Sequence, residues 1–156
     1  MRYWLTIFLL LFLTTTTHAE ELQPLAVVDQ WGKAQVLNSE TQLLIFSHHK
    51  EGSGWVKQAL QVMGITNMEE KHWLYVADIS SMPKMITKLF AVPKMRDYAF
   101  PIALARDEKT LQEWPKKEGF VAIYSLNNLF IESMVYFNTS DTIRLHLESK
   151  LQNDGS

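Results

Sequence analysis

The chain has 156 residues, a formal net charge of −2 at pH 7 and no cysteine. Its 47% hydrophobic and 21% charged residues are those of an ordinary folded domain. This excludes collagen-like, disordered and disulfide-scaffold readings, and a nucleic-acid partner held by bulk positive charge. Without a thiol, disulfide exchange and Cys-based peroxidase chemistry are excluded too.

Residues 1–19 read as a secretory signal. Arg2 precedes the apolar run Leu5 to Leu13, far shorter than the ~20 residues a membrane-spanning helix needs. A threonine tract follows, and Thr17 and Ala19 are small residues at the −3 and −1 positions of a signal-peptidase site. The rival reading is an uncleaved anchor. Cleavage after Ala19 gives a periplasmic or secreted protein with no membrane span. Residues 20–151 then form a single domain with an adequate core, and residues 152–156 a polar tail that frays.

The elements alternate along that domain. Leu25–Val28 and Ala34–Leu37 flank the turn-forming cluster Asp29 to Gly32 and predict a short hairpin, with Trp31 partly exposed in its turn. Leu43 to Phe46 is a continuous apolar run, as in a strand buried on both faces. His48 to Gly54 is polar with two glycines and reads as a loop. Trp55, Val56, Ala59, Leu60 and Met63 recur at helical spacing, with Gly64 as the C′ stop. Trp73 to Ala77 is a second buried strand. Ser80 and Ser81 before Pro83 start a helix whose core-facing side is Met82, Met85, Ile86, Leu89 and Phe90, limited by Pro93. Pro101 to Ala105 is a third strand, and Thr110 to Trp114 a short helix ended by Pro115. Phe120–Leu126 and Leu129–Phe137 are strands joined by the turn Asn127-Asn128, since Asn tolerates positive φ. Ser140 or Asp141 caps a last helix carrying Ile143, Leu147 and Leu151 on one face. Alternating βαβ units imply a parallel core sheet covered by helices, and the terminal hairpin makes it mixed.

Three stretches carry a resemblance to the thioredoxin-like superfamily, in its exported thiol-disulfide oxidoreductase and peroxiredoxin branch. Leu25 to Lys33 resembles the branch's opening strand, Asp, x, x, Gly, Lys. Leu43 to Ser47, a polar loop and Trp55 onward resemble the strand, active loop and helix. Phe100 to Asp107, followed by Phe120 to Leu126 and a hairpin, resembles the later strands. Asp78 to Pro83, Phe90 to Pro93 and Met95 to Tyr98 are similar, more narrowly, to small exported bacterial proteins of unassigned function. The resemblance implies a three-layer α/β/α sandwich with a mixed central sheet. It also implies a Cys-x-x-Cys in the loop after the first core strand and a cis-proline opposite. Here Glu51 and Gly54 fall near the two cysteine positions, and Gly119-Phe120 falls where the proline is expected. Both redox landmarks are absent.

The candidate chemistry concentrates in His48-His49-Lys50-Glu51. Adjacent histidines at a helix N-terminus could serve a metal or an anion. Neighbouring side chains in an extended loop tend to diverge, however, and no His-x-His or His-Glu-x-x-His occurs, so solvated histidines are the plainer expectation. Met82, Met85 and Met95 have the softness for Cu(I), but helical spacing assigns Met82 and Met85 to the core. Ser47, Ser53 and Asp78 lack the flanking pattern of a nucleophile elbow. No Gly-x-Gly-x-x-Gly follows a strand. The expectation is an exported, redox-inactive binding or scaffold module for an envelope protein or peptide. It has no cofactor, no catalytic residue and no nucleic-acid partner. Its binding face is His48, His49, Lys50, Glu51, Trp55 and Phe120. The alternative is a metal or small-ligand protein using His48 and His49.

Overall fold

The computed structural model describes residues 20–153; the expected signal segment, 1–19, and the last three tail positions, 154–156, lie outside the described residues. Strands β3 (Leu43–Ser47), β4 (Trp73–Asp78) and β5 (Ala103–Ala105) are parallel neighbours, and β6 (Val121–Asn127) and β7 (Phe130–Phe137) continue the sheet antiparallel, in the order β5-β4-β3-β6-β7. β1 (Leu25–Val28) and β2 (Ala34–Leu37) pair separately as the expected hairpin.

The continuous apolar runs are explained by burial on both faces. Leu43, Ile45, Trp73, Tyr75, Ile102, Leu104, Val121 and Ile123 pack on one side with Val56 and Leu60 of α1 (Lys50–Val62) and Ile143 and Leu147 of α5 (Ser140–Asn153). The alternate residues Leu44, Phe46, Leu74, Val76, Ala122 and Tyr124 pack on the other side with Leu37 of the hairpin, Leu111 of α4 (Glu108–Leu111) and Trp114. The result is a layered α/β architecture around one mixed five-stranded sheet.

Several boundaries depart from expectation. α1 begins at Lys50, so Gly52 and Gly54 are helical and only His48 and His49 link it to β3. The Asn127-Asn128 turn is displaced by one: Asn127 pairs with Phe130, and the turn residues are Asn128 and Leu129, at φ 49° and 71°. Leu129 accepts the strain because its side chain is buried and its carbonyl receives the Leu22 N–H at 2.9 Å. Thr139 caps α5 in place of Ser140 or Asp141, its Oγ1 accepting from Thr142 N at 3.3 Å. α5 also runs through Gln152 and Asn153, which were expected in the tail.

The largest correction concerns residues 84–95. Pro93 does not limit a helix there. α2 (Lys84–Ile86), a π turn (Thr87–Ala91) and α3 (Val92–Met95) form one helical run with Pro93 inside it. A π turn is one way to carry a helix past a residue that cannot donate. The expected core face is also turned outward: Met85 is 73% exposed and Phe90 66%, while Thr87 is buried.

Candidate functional site

The parallel strands β3 and β4 end at Ser47 and Asp78, and crevices at such carboxyl ends are where open α/β sheets place ligands. β6 runs antiparallel to β3, with Phe46 opposite Ala122. The chain entering β6 therefore arrives beside the segment leaving β3. That entry is a turn from Lys117 to Phe120, closed by Phe120 N donating to Lys117 O at 3.1 Å. Gly119 takes φ 77°, which the third position of such a turn requires.

His48 bridges the two segments. Its Nε2 donates to the Lys117 carbonyl at 3.1 Å, which requires the proton on that nitrogen. Its ring stands 5.8 Å from Phe46 and 5.1 Å from the ring of His49. Beyond the turn, Lys117 Nζ lies 4.1 Å above the ring of half-buried Phe120. The structure thus brings His48, His49, Trp55 and the Phe120 turn to one end of the sheet, with Lys50 and Glu51 exposed in the first turn of α1.

His49 occupies the N-cap of α1 but makes no capping hydrogen bond. The first-turn N–H groups, which have no intrahelical acceptor, therefore lack a side-chain cap. The ring instead packs edge-on to Trp55 at 5.6 Å and lies over Gly52. A Cβ at residue 52 would stand 2.7 Å from His49 Cε1 and 3.0 Å from Val121 Cγ2, so only glycine fits beneath the ring. His49 is half-buried overall, yet both ring nitrogens are shielded from solvent and have no hydrogen-bond partner. Burial, reinforced by the neighbouring His48 and opposed by Glu51, holds its pKa below the ordinary imidazole value. The ring is thereby kept neutral, with one donor and one acceptor unused. The expectation of solvated loop histidines fails for His49, whose ring nitrogens are shielded, whereas His48 stays partly exposed with its Nε2 on the Lys117 carbonyl.

Beneath the helix start lies a hydroxyl cluster that sequence reading singled out only in part. Ser47 Oγ is 2.9 Å from both Ser53 Oγ and Tyr75 Oη, and Ser53 Oγ donates to the His49 carbonyl at 3.2 Å. Burial raises the Tyr75 pKa, so its hydroxyl stays protonated. These bonds fix the turn but build no nucleophile: neither serine hydrogen-bonds a histidine ring, and Asp78 accepts instead from the Ser80 N–H and hydroxyl at 2.9 and 2.6 Å. Among the described residues no group of three or more His, Asp or Glu is placed to hold a metal. A cleft of about 500 Å³, lined by Gln42, Leu43, Trp73, Asn127 and Lys150 among others, opens at the opposite end of the sheet and includes none of the expected site residues.

Sheet order and strand directions are those of a thioredoxin-like fold, here in a chain without cysteine. No family model matches the chain, and no curated protein matches it. Solved structures share the fold. The thioredoxin domain of a thiol-disulfide oxidoreductase from Bacteroides vulgatus superposes with TM-score 0.54 at 10% identity, over 84% of this chain and 95% of that one. A peroxidoxin from Mycobacterium tuberculosis gives 0.53 at 12%, over 86% and 93%. A SCO1/SenC family lipoprotein from Bacillus anthracis gives 0.52 at 9%, over 86% and 96%.

Proposed function

We propose that the chain is an exported, redox-inactive thioredoxin-like protein that binds an envelope protein or peptide at the end of the sheet where β3 meets α1. The observation that carries the reading is the His49 ring. Two shielded nitrogens without partners cost about 1–3 kcal/mol each, and a partner that draws the ring outward and hydrogen-bonds it removes that cost at the moment of binding. Uncapped helix N–H groups beside the ring suit a carbonyl or carboxylate of the partner. Trp55 and Phe120 add half-buried aromatic surface on either side. Export is inferred from the apolar run Leu5 to Leu13 and the small residues Thr17 and Ala19 that follow it, and fits a chain with no thiol to oxidise in an oxidising compartment.

The test is capture in the producing cell. Replacing His48, His49 and Trp55 together with alanine should abolish recovery of the partner while the thermal transition of the purified domain stays cooperative. Undiminished capture by a folded triple variant would show that another face binds. The metal alternative rests on the same two rings, one of which already uses its Nε2 on Lys117. Copper, nickel or zinc at 100 times Kd would stabilise the fold by about 2.7 kcal/mol. An unmoved Tm in all three would remove that reading.

A further inference from the structure

The helical run from Lys84 to Met95 is inverted relative to an ordinary surface helix. Met85, Ile86, Leu89 and Phe90 follow the i, i+1, i+4, i+5 spacing of a single helix face, and they are 73%, 46%, 56% and 66% exposed. The inward side carries Thr87, whose hydroxyl donates to the Pro83 carbonyl at 3.2 Å, and Val92. Contiguous exposed apolar side chains of this size on a folded domain mark an interaction surface. The charges around the stripe have one sign. Lys84, Lys88, Lys94 and Arg96 fall between Asp78 and Asp97 with no acidic residue among them, in a chain whose net charge is −2. None of the three lysines takes part in an ion pair among the described residues. At the C-terminal end of the run, Trp31 is half exposed and its indole N–H donates to the Arg96 carbonyl at 3.3 Å.

We propose that this face docks on an anionic lipid surface. A convex helix stripe of large apolar side chains, flanked by unpaired lysines and ended by an exposed tryptophan, matches the requirements of an interfacial helix. Apolar side chains enter the headgroup boundary, lysine stems lie along it with their ammonium groups in water, and tryptophan settles at headgroup depth. The π turn gives this stripe its outward phase: it carries the run past Pro93 while Thr87 and Val92 hold it to the domain. Binding needs both signals, because neither four side chains nor three or four cations alone give a stable attachment.

The experiment is sedimentation of the protein as released by the producing cell, its N-terminus read by mass, with vesicles of phosphatidylcholine containing or lacking phosphatidylglycerol. Binding is expected only to the anionic vesicles. It should weaken about fivefold for each of Lys84→Gln and Lys88→Gln, near one charge's contribution at such a surface, and fall in 0.5 M salt as screening shortens. Leu89→Glu with Phe90→Glu should abolish it. Both side chains are exposed, so the double variant should keep the wild-type melting temperature, and Leu89→Ala with Phe90→Ala repeats the test without new charge. No binding, equal binding to neutral vesicles, or equal binding by the variants would overturn the proposal. So would a concentration-dependent dimer lost in the double variant, which would assign the face to a second copy of the chain.

Discussion

The imidazole of His49 covers the α-carbon of Gly52 so closely that a Cβ there would stand 2.7 Å from Cε1 and 3.0 Å from Nε2. A glycine in a helix interior costs about 1 kcal/mol relative to alanine. Here the vacant space holds the His49 ring. Gly52→Ala would recover helix propensity but force the ring and Val121 apart, and overpacking of this kind costs about 1–3 kcal/mol. We expect a net loss of about 1 kcal/mol in chemical denaturation. In a His49→Ala background the same substitution should be close to neutral, a coupling of about 1 kcal/mol. Strict additivity of the two changes would mean that the ring does not rest on Gly52.

The neutral ring gives stability a defined pH dependence. His49 titrates below the ordinary value because burial, then His48, disfavour its charged form. His146 is lowered by burial and by Lys150. The unfolded chain therefore takes up these protons near pH 6.5 while the folded chain still refuses them. Stability is full above about pH 6.5 and declines as pH falls toward the folded pKa values, where the loss levels off. Urea midpoints between pH 7.5 and 5 should drop for the wild type and drop less for His49→Gln. A midpoint that rises on acidification would contradict the assignment.

Much of the framework was legible in the sequence, and particular residues explain where reading stopped. Leu43 to Phe46 and Trp73 to Ala77 are apolar throughout because both faces of β3 and β4 are covered, so they read as buried strands without ambiguity. The start of α1 is hidden in the sequence because Gly52 and Gly54 look like loop residues. Only the packing of His49 shows why one of them is needed inside a helix. The run from Lys84 to Met95 misled in the opposite way. Its spacing is that of an amphipathic helix, but periodicity identifies an apolar face without saying what it meets. Trp55 and Phe120 were named from the resemblance, yet their approach to the same end of the sheet depends on the antiparallel register of β6 against β3.

Gln30 had no sequence signal, being one residue of a predicted turn. It is buried, and its side chain donates to the carbonyls of Phe100 at 2.7 Å and Met95 at 3.3 Å and accepts from Ile102 N at 2.8 Å. Arg96 Nε donates back to its carbonyl at 2.9 Å. One side chain thus ties the β1–β2 hairpin to the segment leading into β5. Gln30→Ala leaves Phe100 O and Ile102 N buried without partners, and about 2–3 kcal/mol of stability should be lost. Gln30→Glu should fare no better, since the carboxylate replaces a donor with an acceptor facing two carbonyls. Wild-type thermal stability in either variant would show that the staple is dispensable.

The central claim is that the β3–α1 end of the sheet is the binding face. The most direct measurement places a photo-crosslinking amino acid in the living cell at Trp55 or Phe120, and in separate chains at Glu40 or Glu132 beside the cleft at the other end of the sheet. The account expects the same discrete adduct from positions 55 and 120 and none from 40 and 132. Adducts from positions 40 and 132 alone would move the function to the far cleft and contradict the assignment made from His49.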